Sequence, residues 1–559
     1  MWWPQAILLL GILTALTSIY GVWRHFSPVP LGDQWDGTIG FYMRALQDPA
    51  SAFFEQHNEH KLAFSRLLFF ADVRWFGGRN VSLLIGNLVL AGLLALTYYR
   101  VARHYAAWSK RELLALGGVA LIVTFSWMQQ ENLTLGFQSQ WFAVYLFALC
   151  SFHLIDLCAD ATQRNDPART NLWLLLAMAC STLAAYSMAS GVLVAILAVF
   201  QALYRRVSLA RIVVLIMAAA AILYSYFANW HPIGSGGSLS SMLHERPFGV
   251  FQYFLLYLGS PAQYARVGWA GAYAAGTLVA AVLVVQTARR LLNRSFDIKA
   301  AALLVFALFI AGNALLTAFG RYRIGMDTAL TSRYTTASLG CWFALASFTF
   351  LNARSAGTKR ITLMAATLGV LILGAYQRHV FEPNSDEAFQ RTVGGIAVRA
   401  DVYDLRLTQV IYPNPERLIP TAKAAQAAHL SIFSPDDTDF YTPPDHVSAS
   451  ASCDGHVDEV WATTTPGKFA ASGWIYDTGS HAVPSDIVVA DAEGKTLGMG
   501  VAGGDRPDVE TIHGRKARYS RWTAIFTARP GTTISVNGLL HDNVFCALSD
   551  KPVVTLATP

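Results

Sequence analysis

Charged residues are scarce in this chain. Only 14% of its 559 residues are Asp, Glu, Lys or Arg, and 54% are hydrophobic, whereas roughly a quarter of the residues in soluble domains are charged. The shortage is uneven: residues 3–377 form one apolar run after another, and residues 378–559 have the Pro, Asp, Gly and Thr content of soluble protein. This pattern excludes a single soluble domain. It predicts a membrane part followed by a folded appendage of about one domain.

Two further absences narrow the class of protein. Residues 2–23 contain neither a basic n-region nor a small-residue cleavage site, so we predict a retained first span rather than a cleaved signal peptide. The net charge of +6 comes largely from short loops between apolar runs. Because the basic residues do not gather in a soluble segment, we predict no nucleic-acid partner.

Apolar runs predict an α-helical polytopic membrane protein with about 11 spans. A span needs about 20 mostly apolar residues, and residues 250–258 are too short, so they predict a re-entrant or interfacial segment. A short pair of runs meets near residues 187–191 and could be one bent element. The predicted spans are residues 5–23, 81–99, 113–127, 136–157, 172–186, 191–204, 212–230, 267–286, 300–319, 335–351 and 361–376.

Basic loops predict the orientation. Four of them fall on one side of these spans, and Lys and Arg favour the cytoplasmic side. We therefore predict a bacterial inner-membrane protein whose other loops and C-terminal part are periplasmic. The basic loops are residues 100–111, 205–211, 289–299 and 354–360.

The predicted domains follow from these assignments. Residues 1–377 form a transmembrane domain with a large first periplasmic loop at 24–80, residues 378–449 a helical periplasmic connector, and residues 450–559 a β-sandwich-like domain, because short alternating runs separated by Gly and Asp predict strands. Cys453 and Cys546 are the two cysteines of that last domain. In an oxidising periplasm they predict a disulfide, and two buried thiols are the alternative.

The first external loop carries the strongest candidate site. Asp33 and Asp36 are three residues apart, with Trp35 between them, so a helix beginning there places both carboxylates on one face. An N-cap with an acidic residue at N3 would explain the same spacing. Downstream lie Glu59, His60 and Lys61, which could be a substrate-binding or acid–base cluster, a solvated loop, or part of a metal site.

Two more external loops bring polar groups to the membrane surface. Glu131 lies between two runs and Gln138 begins the next one, where a polar group tends either to face a cavity or to cap a helix. Lys and Arg are usually concentrated on the cytoplasmic side, so arginines on the external side need an explanation. They could bind a lipid phosphate through the planar guanidinium, snorkel to headgroups, or pair with Asp327. These candidates are Arg321, Arg323, Arg333 and the neighbouring Tyr334, with His244 from a Gly/Ser-rich loop.

The ordered set of motifs resembles the GT-C glycosyltransferases, and in particular bacterial polytopic members associated with surface polysaccharides. The matching segments are residues 32–36, 58–61, 130–138 and 332–334. The resemblance implies a lipid-phosphate sugar as donor and an acidic residue of the first external loop as base. The acidic motif here is Asp-x-x-Asp instead of the family's Asp-x-Asp or Glu-Asp pair.

Carried over to this chain, the resemblance implies specific roles. Asp33 and then Asp36 would be the base. The other named polar residues would bind substrate, and among them the arginines would bind the donor phosphate. A divalent metal, Mg²⁺ or Mn²⁺, could assist the reaction. The expected partners are a polyprenyl-phosphate sugar donor, a glycan or lipid-linked acceptor, and membrane lipid. The polar residues crowd one predicted membrane surface, which favours an enzyme over a flippase. A non-catalytic scaffold is the third hypothesis.

Overall fold

The computed structural model describes residues 3–231, 246–292, 300–383, 386–435, 440–541 and 544–555. The chain divides into two compact units. The helical unit comprises Met1–Arg24, Asp48–Leu68 and Leu83–Glu382, and the α/β unit comprises His25–Gln47, Phe69–Ser82 and Pro383–Pro559. The predicted transmembrane domain included all of residues 24–80. The structure instead assigns residues 25–47 and 69–82 to the same unit as the C-terminal part.

Helices dominate the first two thirds of the chain, and four more lie in the last third. They are α1 (Trp3–Arg24), α2 (Phe41–Ala45), α3 (Pro49–Phe54), α4 (Ala63–Phe76), α5 (Val81–His104), α6 (Lys110–Phe125), α7 (Gln130–Thr134), α8 (Ser139–Gln163), α9 (Pro167–Ala185), α10 (Val192–Tyr204), α11 (Leu209–Phe227), α12 (Pro247–Ala262), α13 (Gly268–Leu292), α14 (Ala301–Arg321), α15 (Thr335–Leu351), α16 (Ala356–Tyr376), α17 (Asp386–Arg399), α18 (Leu405–Thr408), α19 (Pro415–Ala427) and α20 (Pro507–His513).

Eight helical stretches in the described residues are long and apolar enough to cross a membrane, which is consistent with a multi-pass membrane protein. Helices also form at the other three predicted spans, but α10 has 13 residues and α15 has 17, whereas about 20 are needed. The third, α9, starts with polar residues. The eight stretches are Trp3–Arg24, Val81–His104, Lys110–Thr134, Gly136–Gln163, Leu209–Phe227, Gly268–Leu292, Ala301–Arg321 and Ala356–Phe381.

Small residues let some of these helices approach closely. A Cβ on Gly118 of α6 would lie 2.4 Å from the carbonyl oxygen of Ile7 in α1, and one on Gly11 would lie 2.6 Å from the carbonyl oxygen of Gly118. A side chain at either position would push α1 and α6 apart. Glycine contacts of this kind favour packing between membrane helices, because dispersion contacts replace the hydrophobic effect there.

Helix α12 occupies the segment predicted to be re-entrant or interfacial. A Cβ on Gly249 near its start would lie 2.3 Å from the Tyr322 hydroxyl. Just beyond its end, the Tyr264 hydroxyl donates to the carbonyl oxygen of Leu330 at 3.0 Å. The start of α12 and the residue Tyr264 just after it therefore both lie beside residues 322–330.

The strands are β1 (Gln56–His57) and β2 (His60–Lys61) in the helical unit, and β3 (Ala451–Ser452), β4 (Asp454–Ala462), β5 (Lys468–Tyr476), β6 (Asp486–Ala490), β7 (Thr496–Gly504), β8 (Arg521–Thr527), β9 (Ser535–Leu539) and β10 (Phe545–Ala547) in the α/β unit. The last eight form one sheet in the order β3-β10-β9-β6-β7-β8-β5-β4. The two edge strands of this sheet, β3 and β4, follow each other in the chain and are separated only by Cys453. The predicted sandwich-like arrangement stays a prediction, and the β-sheet itself is present.

Each face of this sheet covers a separate core. One core holds Trp522, Phe526 and the cysteines Cys453 and Cys546, which the structure joins by a disulfide across strands with Cα atoms 5.2 Å apart. On the other face, Ala470 and Ile525 pack with apolar residues of α17. The same second core contains Trp35, from the segment that follows α1, so that segment contributes to the interior of the α/β unit.

Asp72 gives the α/β unit a pH-dependent stability. Its carboxylate is 1% exposed and accepts a hydrogen bond from Ser82 Oγ at 2.5 Å, and burial raises its pKa to about 6. Because this pKa lies above the unfolded value near 4, the group stabilises the fold below pH 4. That contribution is lost as the pH rises through 6, by up to about 3 kcal/mol.

The Asp72→Asn variant is therefore expected to gain stability relative to the wild type between pH 4 and pH 6. Denaturant unfolding followed by fluorescence at both pH values measures this difference. Asp445→Asn, at an exposed aspartate of the same unit, should follow the wild type. The stability gained by Asp72→Asn over the wild type is the difference between their unfolding free energies. If this difference stays constant or narrows as the pH rises from 4 to 6, the assignment is wrong.

Candidate functional site

The β1–β2 hairpin brings Glu59 to one arginine of the helical unit. The hairpin pairs His57 with His60 and turns through Asn58, which adopts a positive φ of 49°; asparagine tolerates this conformation well. Arg321, the last residue of α14, lies 3.5 Å from the Glu59 carboxylate, and the two side chains are 37% and 39% exposed. The Glu59–Arg321 pair therefore remains open to solvent or to a ligand.

The other two residues of this motif are used for structure. Lys61 is only 6% exposed, and its Nζ donates to the carbonyl oxygens of Ala228 at 2.8 Å and Ser225 at 3.2 Å, at the end of α11. A cation at a helix C-terminus satisfies its last carbonyl groups. His60 Nδ1 accepts the backbone N–H of Ala189 at 3.2 Å. The structure thus gives Lys61 a capping role in place of the predicted contact with substrate.

Glu131 joins a second arginine to the loop that precedes α8. Its Oε1 lies 3.5 Å from Arg333 Nη1 and accepts from Gln138 Nε2 at 3.4 Å. Its Oε2 accepts the backbone N–H of Arg333 at 3.3 Å, and its own N–H donates to Ser332 Oγ at 3.3 Å. Nearby, Asn132 Nδ2 donates to the carbonyl oxygen of Arg333 at 2.8 Å. These contacts hold the segment around Glu131 and the segment around Arg333 together.

Tyrosines of α12 lie beside both arginine-bearing segments. The Tyr253 hydroxyl is 3.1 Å from Thr328 Oγ1. Burial raises the pKa of Tyr253, the nearby Tyr334 raises it further, and the charge of Arg321 lowers it. We call Glu59, Arg321, Glu131, Arg333 and Tyr253 the acid–arginine network. Its members come from four separate parts of the helical unit and present two half-exposed guanidinium groups.

Asp33 and Asp36 lie in the other unit, where each is at the start of a short helix. Residues 35–40 form a π-helix, a rare element that is frequent at functional sites. Arg44 Nη1 donates to Asp36 Oδ1 at 3.0 Å, and Asp33 is exposed. Burial raises the pKa of Tyr412, and the charges of Asp36 and Asp33 add to that effect. Both carboxylates therefore lie near one tyrosine of the α/β unit.

Two of the remaining predicted substrate contacts, Trp35 and Tyr334, are buried side chains. The indole of Trp35 has no exposed surface and packs in the core of the α/β unit, so it offers no face for a sugar. Tyr334 is 4% exposed and packs between Tyr257, at 4.8 Å, and Trp141, at 5.5 Å. Arg323 is exposed, and His244 lies outside the described residues.

A divalent metal needs several carboxylate or imidazole ligands at one point. Within the described ranges, no group of three or more His, Cys, Asp and Glu residues is placed to hold a metal ion. The carboxylates of the network contact arginines instead, a donor set that does not fit a cation. Assistance from Mg²⁺ or Mn²⁺ stays a prediction of the sequence alone.

Some residues of both clusters carried no signal in the sequence. Tyr253 and Tyr264 lie near an apolar run, where tyrosine is a common interfacial residue, and Tyr412 is far from Asp33 along the chain. Only the fold brings Tyr253 near Arg321, Tyr264 near Glu131, and Tyr412 near the two aspartates. Comparisons with family models, with curated proteins and with solved structures found no match to this chain.

Proposed function

We propose that this protein is a membrane-embedded glycosyltransferase that moves a hexose or pentose from a polyprenyl-phosphate donor to a glycan or lipid-linked glycan. The observation that carries the proposal is the acid–arginine network, in which Arg321 and Arg333 are each 37% exposed beside a carboxylate. A phosphate on a lipid needs cationic donors at the end of an apolar helical unit, and arginine provides them with matching geometry.

The reaction needs two kinds of group. The bond between the anomeric carbon and the donor phosphate breaks, and a bond from that carbon to an acceptor hydroxyl oxygen forms. The hydroxyl proton passes to a carboxylate, and polyprenyl phosphate leaves with the electron pair. A single displacement of this kind inverts the anomeric carbon. Cations stabilise the charge that develops on the departing phosphate.

Arg321 and Arg333 are proposed to contact that phosphate. Both guanidinium–carboxylate distances are 3.5 Å, longer than the roughly 2.7–2.9 Å of a strong charge-assisted N–H···O bond. A phosphate can therefore compete with Glu59 and Glu131 for the same donors. In the absence of donor, the carboxylates limit the cost of holding two arginines close to the apolar part of the unit.

Asp33 and Asp36 are proposed as the acid–base pair. Asp36 accepts from Arg44, which holds its carboxylate in one position, and Asp33 is exposed. We expect Asp33→Asn to reduce transfer about 100-fold or more, within the roughly 10²–10⁴ that general base catalysis contributes. We expect Asp36→Asn to reduce it less.

Initial rates with radiolabelled polyprenyl-phosphate glucose, mannose and arabinose as parallel donors check this pair. Asp48→Asn is the control, since Asp48 caps α3 through the N–H of Ser51. Equal transfer by the wild type and Asp33→Asn would remove Asp33 from the mechanism and leave the network to be tested separately.

We also propose that the protein is in a bacterial inner membrane with its C-terminal part in the periplasm. The eight apolar helical stretches support membrane insertion. The Cys453–Cys546 disulfide supports an oxidising compartment for the α/β unit.

A transporter of lipid-linked sugars is the second candidate, and one observation favours it. Asn313, within α14, is 3% exposed, and its Nδ2 donates to the hydroxyls of Tyr145 at 3.1 Å and Tyr257 at 3.0 Å. The sequence suggested that polar groups crowd one surface, but this cluster lies inside the helices. A transport path is expected to be lined by such groups. A flippase moves the intact donor, whereas a transferase cleaves it.

A further inference from the structure

The α/β unit contains a cavity that the proposed reaction does not use. It has a volume of about 260 Å³ and lies between the C-terminal end of α17, strands β7 and β8, and the start of β5. Ligand pockets usually measure roughly 300–1,000 Å³. The cavity therefore suits one small unit, such as a single sugar ring, instead of a long lipid chain or a dinucleotide.

Both charged residues that line the cavity are positive. Lys468 and Arg399 both line the cavity, and no acidic residue is among its described lining residues. Arg399 is held in place, because its Nη1 donates to the carbonyl oxygen of Ile432 at 2.6 Å and its guanidinium lies 4.8 Å from the Phe440 ring centre. Lys468 is half-buried at the first position of β5. Two cations around a small cavity favour a ligand with a negative charge.

The rest of the lining is mainly apolar. Ile396 and Ile525 are 4% and 3% exposed and belong to the core of the unit, and Met499 packs against that core. Thr527 adds an exposed hydroxyl at the end of β8. The ligand should thus have a compact C–H face, a hydrogen-bonding group and an anionic group. A pyranose ring with a carboxylate or phosphate combines all three.

We propose that this cavity binds one anionic sugar residue of a glycan through Lys468 and Arg399. The carboxylate of a uronic acid and the phosphate of a sugar phosphate have the same charge-based chemistry. The proposal does not rest on the transfer reaction, since a scaffold or a transporter could hold a glycan in the same way. It gives the C-terminal part of the α/β unit a binding role that is separate from the catalytic role proposed for Asp33 and Asp36.

Isothermal titration of the full chain in detergent tests the proposal. Methyl glucuronide and glucose 1-phosphate represent the two anionic sources, methyl glucoside is the neutral match, and octanoate is an apolar anion. At least one anionic sugar should bind about tenfold or more tightly than methyl glucoside, because the charge-assisted contacts are lost with the neutral sugar. Stronger binding of the carboxylate or of the phosphate identifies the natural group.

Substitutions locate the site. Lys468→Gln should weaken binding of the anionic sugar about tenfold. Lys516→Gln, at an exposed lysine of the same unit, should leave the binding unchanged. Met499→Trp should block binding by filling the cavity, and circular dichroism checks that each variant is folded. Equal binding of charged and neutral sugars, tighter binding of octanoate, no effect of Lys468→Gln in a folded protein, or no binding of either anionic sugar would each overturn the proposal.

Discussion

Replacing Asp156 with alanine is expected to destabilise the helical unit by about 3–5 kcal/mol, because it leaves several buried donors without their acceptor and removes one of the two carboxylates beside Arg205. Asp156 has no exposed surface, and its Oδ1 lies 3.3 Å from Arg205 Nε. It also accepts from the Tyr105 hydroxyl at 2.6 Å, Gln201 Nε2 at 2.9 Å and the backbone N–H of Ala302 at 3.0 Å. The last contact holds the start of α14, so one carboxylate connects several helices.

Thermal unfolding in detergent, followed by intrinsic fluorescence, measures this effect. Asp166→Ala is the matched control, because Asp166 caps α9 at the surface and pairs with a largely exposed Arg169. A lost cap of that kind costs about 1 kcal/mol. An Asp156→Ala protein as stable as Asp166→Ala would show that the contacts of Asp156 have little structural weight.

The second large effect is expected on catalysis. Arg333→Gln should lower kcat/KM for the lipid-linked donor by about 10²–10³-fold, the usual effect of losing one donor that stabilises developing negative charge. The kcat/KM of Arg333→Lys should lie between the values of Arg333→Gln and the wild type, because lysine keeps the charge but lacks the planar guanidinium. Steady-state transfer rates over a range of donor concentrations separate changes in kcat from changes in KM.

Arg378→Gln provides the control for this series. Arg378 is an exposed arginine of the helical unit that follows α16, and its replacement should leave kcat/KM unchanged. Equal losses in Arg333→Gln and Arg378→Gln would mean that surface charge in general, and not the acid–arginine network, governs the rate.

Hydropathy predicted where helices form, and it was less informative about how many of them cross a membrane. All eleven runs are helical, but α10 and α15 are short, and only the coordinates show that the start of α12 and Tyr264 just after it lie beside residues 322–330. The hydropathy pattern also missed the internal contacts of Asp156 and Asn313. Single polar residues barely change the mean hydropathy of a long apolar helix, and their partners lie far away along the chain.

The candidate site was predictable only in part. The polar loops around Glu131 and Arg333 contact each other, and acidic and basic residues near membrane surfaces signalled them. Lys61 has the same charge as Arg333, but a helix end lies within its reach, so it caps α11. Trp35 lies between two aspartates in the sequence and is nevertheless a core residue. Charge and spacing identify polar loops, whereas burial, which depends on distant residues, decides which side chains remain accessible.

The most direct test of the proposed transfer is the fate of a labelled donor in proteoliposomes that contain the wild-type protein. Polyprenyl-phosphate glucose, mannose or arabinose, labelled in the sugar, is supplied with a periplasmic glycan fraction. We predict that the label from one donor moves from the organic-extractable lipid into glycan, with release of one polyprenyl phosphate per sugar. A label that stays in intact donor with all three sugars, whether or not the donor changes leaflet, would contradict the proposed function.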